Sequence, residues 1–173
     1  MIELRPAEFL DYSAIALLHA ASWQKTYRGI YSDKFLDEKV EKDRLELWYH
    51  RLNSPAIGQQ ITIASQDNTM VGFSCIYLDD DLTYGTLLDN LHVAANYQKS
   101  GIGKLLVKNC AKLILENSKN PTMYLWVFEA NQNARRVYER LGGVNMQIIE
   151  KQNEDGTKAI ICRYVWEDVT SLI

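Results

Sequence analysis

Two glycines one residue apart, Gly101 and Gly103, sit in the run Gln98-Lys99-Ser100-Gly101-Ile102-Gly103-Lys104. An alternating segment, Thr86 to Ala94, precedes the run and reads as a strand. After it come Ile102, Leu106, Cys110 and Leu113, whose spacing places them on one stripe of a helix ending near Asn117. A glycine loop that feeds a helix N-terminus lets the backbone approach a ligand closely. Free N–H groups and the positive end of the helix dipole converge there. The chemistry this predicts is binding of a phosphate or pyrophosphate, with Lys99 and Lys104 adding charge.

Two known phosphate motifs do not fit. A P-loop needs a glycine five positions before the Gly-Lys pair and a Ser or Thr after the lysine. Here those positions hold Gln98 and Leu105. The dinucleotide fingerprint needs a third glycine where Leu106 stands. Further along, Asn131, Ala134, Tyr138 and Gly142 are spaced for a helix with Asn131 as cap and Ala134, Val137, Tyr138 and Leu141 as the apolar face. A phenol on that face can act as a proton donor, or it can be a core aromatic whose hydroxyl needs a partner.

Asp89, His92 and Glu129 are candidate general bases. On a strand, Asp89 and His92 point to opposite faces, so at most one faces a common cleft unless a bulge intervenes. Trp23, Tyr27 and Tyr31 recur at spacing four and would share a helical face, either as core or as an aromatic wall for a ligand.

The elements that must hold these residues follow from periodicity. Strands are expected at Ile2–Arg5, 60–65, 70–78, 86–94, 123–128, 144–151 and 158–165. Asp67-Asn68 and Asn153–Gly156 supply hairpin turns. A first helix is expected with Ala14, Leu17, Leu18 and Ala21 as its inner face, broken at Gly29. A second runs from about Ser32 to Leu52. Asp79-Asp80-Asp81 reads as a solvated loop. The order implies an α/β (α+β) fold: a mixed sheet of about six to seven strands flanked by about four helices.

Length and composition bound the rest. The chain has 173 residues and reads as one domain, 1–173. Its net charge of −3 argues against a dedicated nucleic-acid binder. No apolar run approaches a membrane span, and Met1 to Arg5 does not resemble a secretory leader. Cys75, Cys110 and Cys162 are scattered and odd in number, which predicts buried free thiols in a reducing cytoplasm. His19, His50 and His92 lack the spacing of a metal cluster, and no metal is expected.

The residues Leu91-His92-Val93 and Tyr97-Gln98-x-x-Gly101-Ile102-Gly103 resemble motif A of the GNAT acetyltransferase superfamily. Asn131-x-x-Ala134-x-x-x-Tyr138-x-x-x-Gly142 is similar to its motif B, in the right order with a strand between. The Ser22-Trp23 to Gly29 segment resembles the first-helix region of many bacterial members. The resemblance implies acetyl-CoA as donor, lying where the strand through Val93 splays from the strand through Val127. It implies pyrophosphate contacts from backbone N–H groups across Gln98, Lys99, Ser100, Gly101, Ile102, Gly103 and Lys104. Pantetheine would pair with Leu91, His92 and Val93, and would meet Asn131, Ala134 and Tyr138. The Val93 N–H would polarise the thioester, as oxyanion-hole donors do. Tyr138 would protonate the leaving thiolate. Among the candidate bases, strand position and not the resemblance makes Asp89 the first choice, with His92 and Glu129 as alternatives. Trp23, Tyr27 and Tyr31 would wall the acceptor site. The acceptor would be a small-molecule amine or a protein amino group, with a homodimer possible. The alternatives are a catalytically silent CoA-binding regulatory or interaction module and a generic nucleotide-binding α/β protein.

Overall fold

The computed structural model describes residues 1–173. Segments rich in Val, Ile, Phe and Tyr become strands because such side chains pack well on a pleated surface. There are seven: β1 (Glu3–Pro6), β2 (Gln59–Gln66), β3 (Thr69–Asp81), β4 (Gly85–Val93), β5 (Met123–Phe128), β6 (Val144–Gln152) and β7 (Lys158–Trp166). They form one sheet in the order β1-β2-β3-β4-β5-β7-β6. All neighbours are antiparallel except β4 and β5. Five helices cover it: α1 (Tyr12–Thr26), α2 (Asp33–Glu38), α3 (Val40–Asn53), α4 (Ile102–Asn117) and α5 (Gln132–Arg140). No helix is long and apolar enough to cross a membrane.

The mixed sheet flanked by helices is as expected, with five helices where about four were expected because the segment after Ser32 does not run unbroken. Ser32 caps α2, its Oγ accepting from the Phe35 N–H at 3.3 Å. The chain then turns at Lys39 before α3 begins. The break redirects the buried residues. Phe35, Leu36 and Val40 join Tyr31 and Phe128, while Trp48 packs with Ile15 and Phe73.

The expected inner face of α1 is also corrected. Ile15, Ala16, His19, Ala20 and Trp23 are buried, whereas Leu17 is 59% exposed. Both stripes have helical spacing, and α1 is apolar nearly all round. The choice is made by Trp48 of α3, whose Nε1 donates to the His19 Nδ1 at 2.9 Å. On α4 the buried stripe is broader than the one expected, adding Val107, Ala111 and Ile114, while Leu113 is only partly covered. On α5, Ala134, Tyr138 and Leu141 pack against the core, but Val137 is exposed.

The acidic triplet is not a free loop. Asp79, Asp80 and Asp81 end β3. Asp79 accepts from the Ser118 hydroxyl, Asp80 from the Tyr124 hydroxyl, and Asp81 from the backbone N–H groups of Thr83 and Tyr84.

Candidate active site

β4 and β5 pair only through Thr86 with Met123 and Leu87 with Tyr124, then separate. Beyond that point β4 stays bonded to β3 alone. Gly72 and Val93 are directly opposed, and the Ala94 N–H donates to the Val71 carbonyl at 2.8 Å. Val93 is therefore in a non-hydrogen-bonded pair, and its N–H points away from β3. Leu91, two residues earlier and opposite Ser74, has the same orientation. The parting of the strands thus leaves a backbone edge at Leu91 and Val93, facing β5.

The glycine loop begins at the end of that edge. A turn over Ala95–Tyr97 leads to Gln98, whose side chain donates to the Val93 carbonyl at 3.4 Å. Lys99 (φ 64°) and Gly101 (φ 89°) are both left-handed. The N–H groups of Lys99, Ser100 and Gly101 donate to no protein acceptor. Those of Ile102, Gly103 and Lys104 precede the first bond of α4, from the Leu105 N–H to the Gly101 carbonyl. Successive unbonded N–H groups in this geometry form an anion-binding concavity at a helix N-terminus. Gly101 is required by its φ. Gly103 is not, since a Cβ there would meet only Val93 Cγ2, at 3.8 Å.

Across the gap, Asn131 caps α5, its Oδ1 accepting from the Ala134 N–H at 3.2 Å. Tyr138 lies between Tyr164 and Trp166, each ring 6.1 Å away. Its hydroxyl makes no protein hydrogen bond, and burial raises its pKa, with Tyr27 adding to the rise. The helix ends at Gly142-Gly143, where a Cβ on Gly143 would strike the Trp166 ring at 2.6 Å.

The second half of the site lies on the α1–α3 side of the sheet. Here a cleft of about 290 Å³ is bounded by β4 at Asp89, Asn90 and His92 and by β5 at Trp126 to Phe128. The strand alternation expected to separate Asp89 from His92 does not hold. Asn90 opposes Cys75 and Leu88 opposes Ile76, so Asp89 is an extra, bulged residue. A bulge re-aims side chains, and both groups line the same cleft. Asp89 Oδ2 accepts from Arg51 at 2.7 Å. The His92 Nδ1 is 2.9 Å from Ser22 Oγ, and its ring lies 4.5 Å from that of His19. Burial, with the field of Arg44, pushes the His92 pKa down to about 4, so the imidazole is neutral at pH 7. Burial likewise lowers His19, helped by His92 and both arginines. Glu129 is not in this cleft. It lines a separate hollow with Gly29 and Lys158.

Trp23, Tyr27 and Tyr31 do come together on the cleft, at 4.9–6.1 Å between rings. They do not share a helix. α1 ends at Thr26, and a turn through Gly29 (φ 79°) folds Tyr31 back. Burial raises Tyr27 to about 12. The β6–β7 turn clamps this segment. Asn153 Nδ2 and Thr157 Oγ1 donate to the Ile30 carbonyl, the Ser32 N–H donates to Asp155, and the Tyr31 hydroxyl donates to Glu154 at 2.7 Å. That clamp delivers Glu154 and Lys151 to the cleft.

Sequence reasoning did not single out Arg44, Arg51, Lys151, Glu154 or Trp126. One signal was present for Arg44. It lies four residues after Val40 and four before Trp48, on the buried stripe of α3. Lys151 and Glu154 carry no such sign, because only the clamped hairpin turn brings them in.

The arrangement comprises an exposed strand edge, an anion concavity at its end, and an aromatic and charged cleft behind it. Comparisons with known proteins bear on the fold and the family. The chain is 27% identical over 142 residues to "Probable N-acetyltransferase" of Mycobacterium tuberculosis, covering 80% of this chain and 78% of that protein. It is 33% identical over 81 residues to the spermine/spermidine N(1)-acetyltransferase of Bacillus subtilis, covering 44% and 53% respectively. The fold is similar to that of a putative acetyltransferase from Salmonella typhimurium solved with its cofactor acetyl-CoA, with a TM-score of 0.68, 16% identity and coverage of 96% and 93%. Residues 20–143 match the model of the acetyltransferase (GNAT) family. That match spans well over half of the chain, and this protein belongs to the acetyltransferase (GNAT) family.

Proposed function

We propose that residues 1–173 form one catalytic domain that transfers an acetyl group from acetyl-CoA to an amine within a ternary complex. The observation that carries this reading is the parting of β4 from β5, with the Leu91 and Val93 backbone edge leading straight into the unbonded amides of 99–104. A pantetheine arm adds to that edge as a strand would, and the pyrophosphate takes the amides. The Salmonella relative's bound acetyl-CoA supports the choice of donor. Acetyl-CoA supplies an activated thioester, and the remaining work falls to the protein.

The Val93 N–H polarises the thioester carbonyl and stabilises the developing oxyanion. Asn131 holds α5 in place through its cap and offers its amide nitrogen to the pantetheine arm, beside Ala134. Tyr138 protonates the departing thiolate. Its raised pKa keeps it protonated at working pH, and its hydroxyl is not engaged by the protein. Asp89 takes the proton of the attacking amine. The bulge supports His92 as a rival base, since it places that neutral imidazole in the same cleft. A cytoplasmic location belongs to this reading, supported by three free and buried cysteines.

The test is calorimetry with acetyl-CoA, CoA and ATP, followed by thiol release across an amine panel. Binding of ATP without CoA would sink the reading. CoA binding with no thiol release from any amine or peptide N-terminus would favour a silent binding module. Tyr138→Phe should lower kcat by about 10²–10⁴-fold, the usual size of a general-acid contribution, with acetyl-CoA affinity unchanged.

A further inference from the structure

The acceptor cleft carries an excess of positive charge. Its ionic groups are Arg44, Arg51 and Lys151 against Asp89 and Glu154. Arg51 and Asp89 pair with each other at 2.7 Å. Glu154 is engaged by the Tyr31 hydroxyl. Burial acts to raise its pKa, but the Tyr31 bond and nearby Lys151 and Arg44 hold it below the usual carboxylate range.

Glu154 therefore stays ionised, so the lining carries one net positive charge, and Arg44 and Lys151 are its two cations with no carboxylate of the cleft within ion-pair distance. Arg44 is 8% exposed, stacked 4.3 Å over the Trp23 ring. Its Nε and Nη2 go to Asp43, which does not line the cleft and is partly exposed to solvent, while Nη1 makes no hydrogen bond. Lys151 forms no ion pair, on the opposite wall. The charge of Arg44 is met by Asp43 outside the cleft, so what it keeps for a ligand is the uncommitted Nη1–H, and a charge-assisted hydrogen bond from that group to an anion is strong. A site for a polycation would show the opposite balance, with carboxylates in excess.

We propose that the acceptor is a small amine bearing a carboxylate, which Arg44 and Lys151 hold while Trp23 and Tyr31 cover its hydrocarbon. The inference rests on the acetyltransferase reading of this cleft and names its substrate class. A cleft of about 290 Å³ is at the lower end of the range for ligand pockets, which favours a molecule of amino-acid size. The amine then points toward the bulge at Asp89. The substrate class differs from the polyamines named for the Bacillus subtilis relative.

Binding tests this without turnover. Trp23 and Trp126 line the cleft, so their fluorescence reports occupancy. Glycine, β-alanine, 4-aminobutanoate, 5-aminopentanoate and the L-amino acids would each be titrated beside their carboxamides, with spermidine as a further probe and CoA present. At least one member should bind about tenfold or more tightly than its amide, the scale of a charge-assisted pair. Arg44→Gln should abolish that preference. Because Arg44 also packs on Trp23, the exposed Lys151→Gln serves as a second variant and should reduce the preference severalfold. No preference in any pair, or tighter binding of spermidine than of every member, would overturn the proposal. Acetyl-CoA calorimetry on the same samples decides the acetyltransferase reading separately, so the two can fail independently.

Discussion

The two sides of the splayed strands are built from different materials. On the α4 side, the loop from Gln98 to Lys104 offers backbone amides, set by two left-handed residues and a helix start. Every part comes from one continuous stretch. On the α1–α3 side, the cleft is made of side chains from α1, α3, β4, β5 and the β6–β7 turn. Its key groups are far apart in sequence, 127 residues for Tyr27 and Glu154. A ligand shared by many proteins can be read by backbone, which every sequence possesses. A ligand peculiar to one protein must be read by side chains, and those are free to vary.

The contrast can be broken most sharply at the bulge. If Asp89 is the base, Asp89→Asn should lower kcat/KM by about 10²–10⁴-fold and His92→Gln should cost far less. The reverse result gives the role to His92. Neither variant should change acetyl-CoA affinity, and a loss there would mean that the two sides are not separable.

Acid should loosen the side-chain half first. His92 is held at about 4 in the folded protein, against about 6.5 unfolded. The unfolded chain therefore binds the proton more readily, and stability falls as pH drops from 6.5 toward 4. The contribution is on the order of 3 kcal/mol, complete above 6.5. Urea melts at pH 7 and pH 4.5 would show it. Replacing His92 with Gln should reduce the difference and leave the part due to His19, whose pKa burial also lowers, and an equal slope in the variant would disprove the assignment.

The two glycines of the loop should respond in opposite directions. Gly101→Ala forces a side chain into the left-handed region and should cost about 1–2 kcal/mol of stability. Gly103→Ala meets only Val93 at van der Waals distance and lies inside a helix. It should stabilise by up to about 1 kcal/mol, yet weaken acetyl-CoA by crowding the amides beside it. Thermal melts and calorimetry on the same pair of variants test both halves of that statement. The smallest effect is expected at Lys99 and Lys104, both exposed. Replacing either with Ala should weaken acetyl-CoA by only about two- to fivefold, since exposed charges contribute little. A hundredfold loss would mean that side-chain charge, not backbone, holds the phosphates.

Legibility in the sequence follows the same division. The strands, α4, α5 and both sequence motifs could be read because periodicity and glycine spacing are local properties. The inner face of α1 could not. Leu17 and Ile15 have similar hydrophobicity, and only the hydrogen bond from Trp48 to His19, 29 residues apart, decides which way α1 turns. The break at Lys39 was hidden because both sides of it are helical. The Asp79–Asp81 cluster read as a loop because its partners, Ser118 and Tyr124, are remote, although Asp79 and Asp80 are exposed as expected.

The bulge at Asp89 marks the boundary most clearly. Alternation alone puts Asp89 and His92 on opposite faces, and no residue in β4 announces the slip. It arises from pairing with β3, where Cys75 and Ile76 meet Asn90 and Leu88 and leave Asp89 over. The sequence by itself determined the order of elements, the glycine loop with its unbonded amides and the acetyltransferase resemblance, because each depends on residues within one turn or one strand. Tertiary structure alone decided which charges share the cleft on the α1–α3 side, because a side chain's neighbours there are set by strand register and by the docking of a distant hairpin turn.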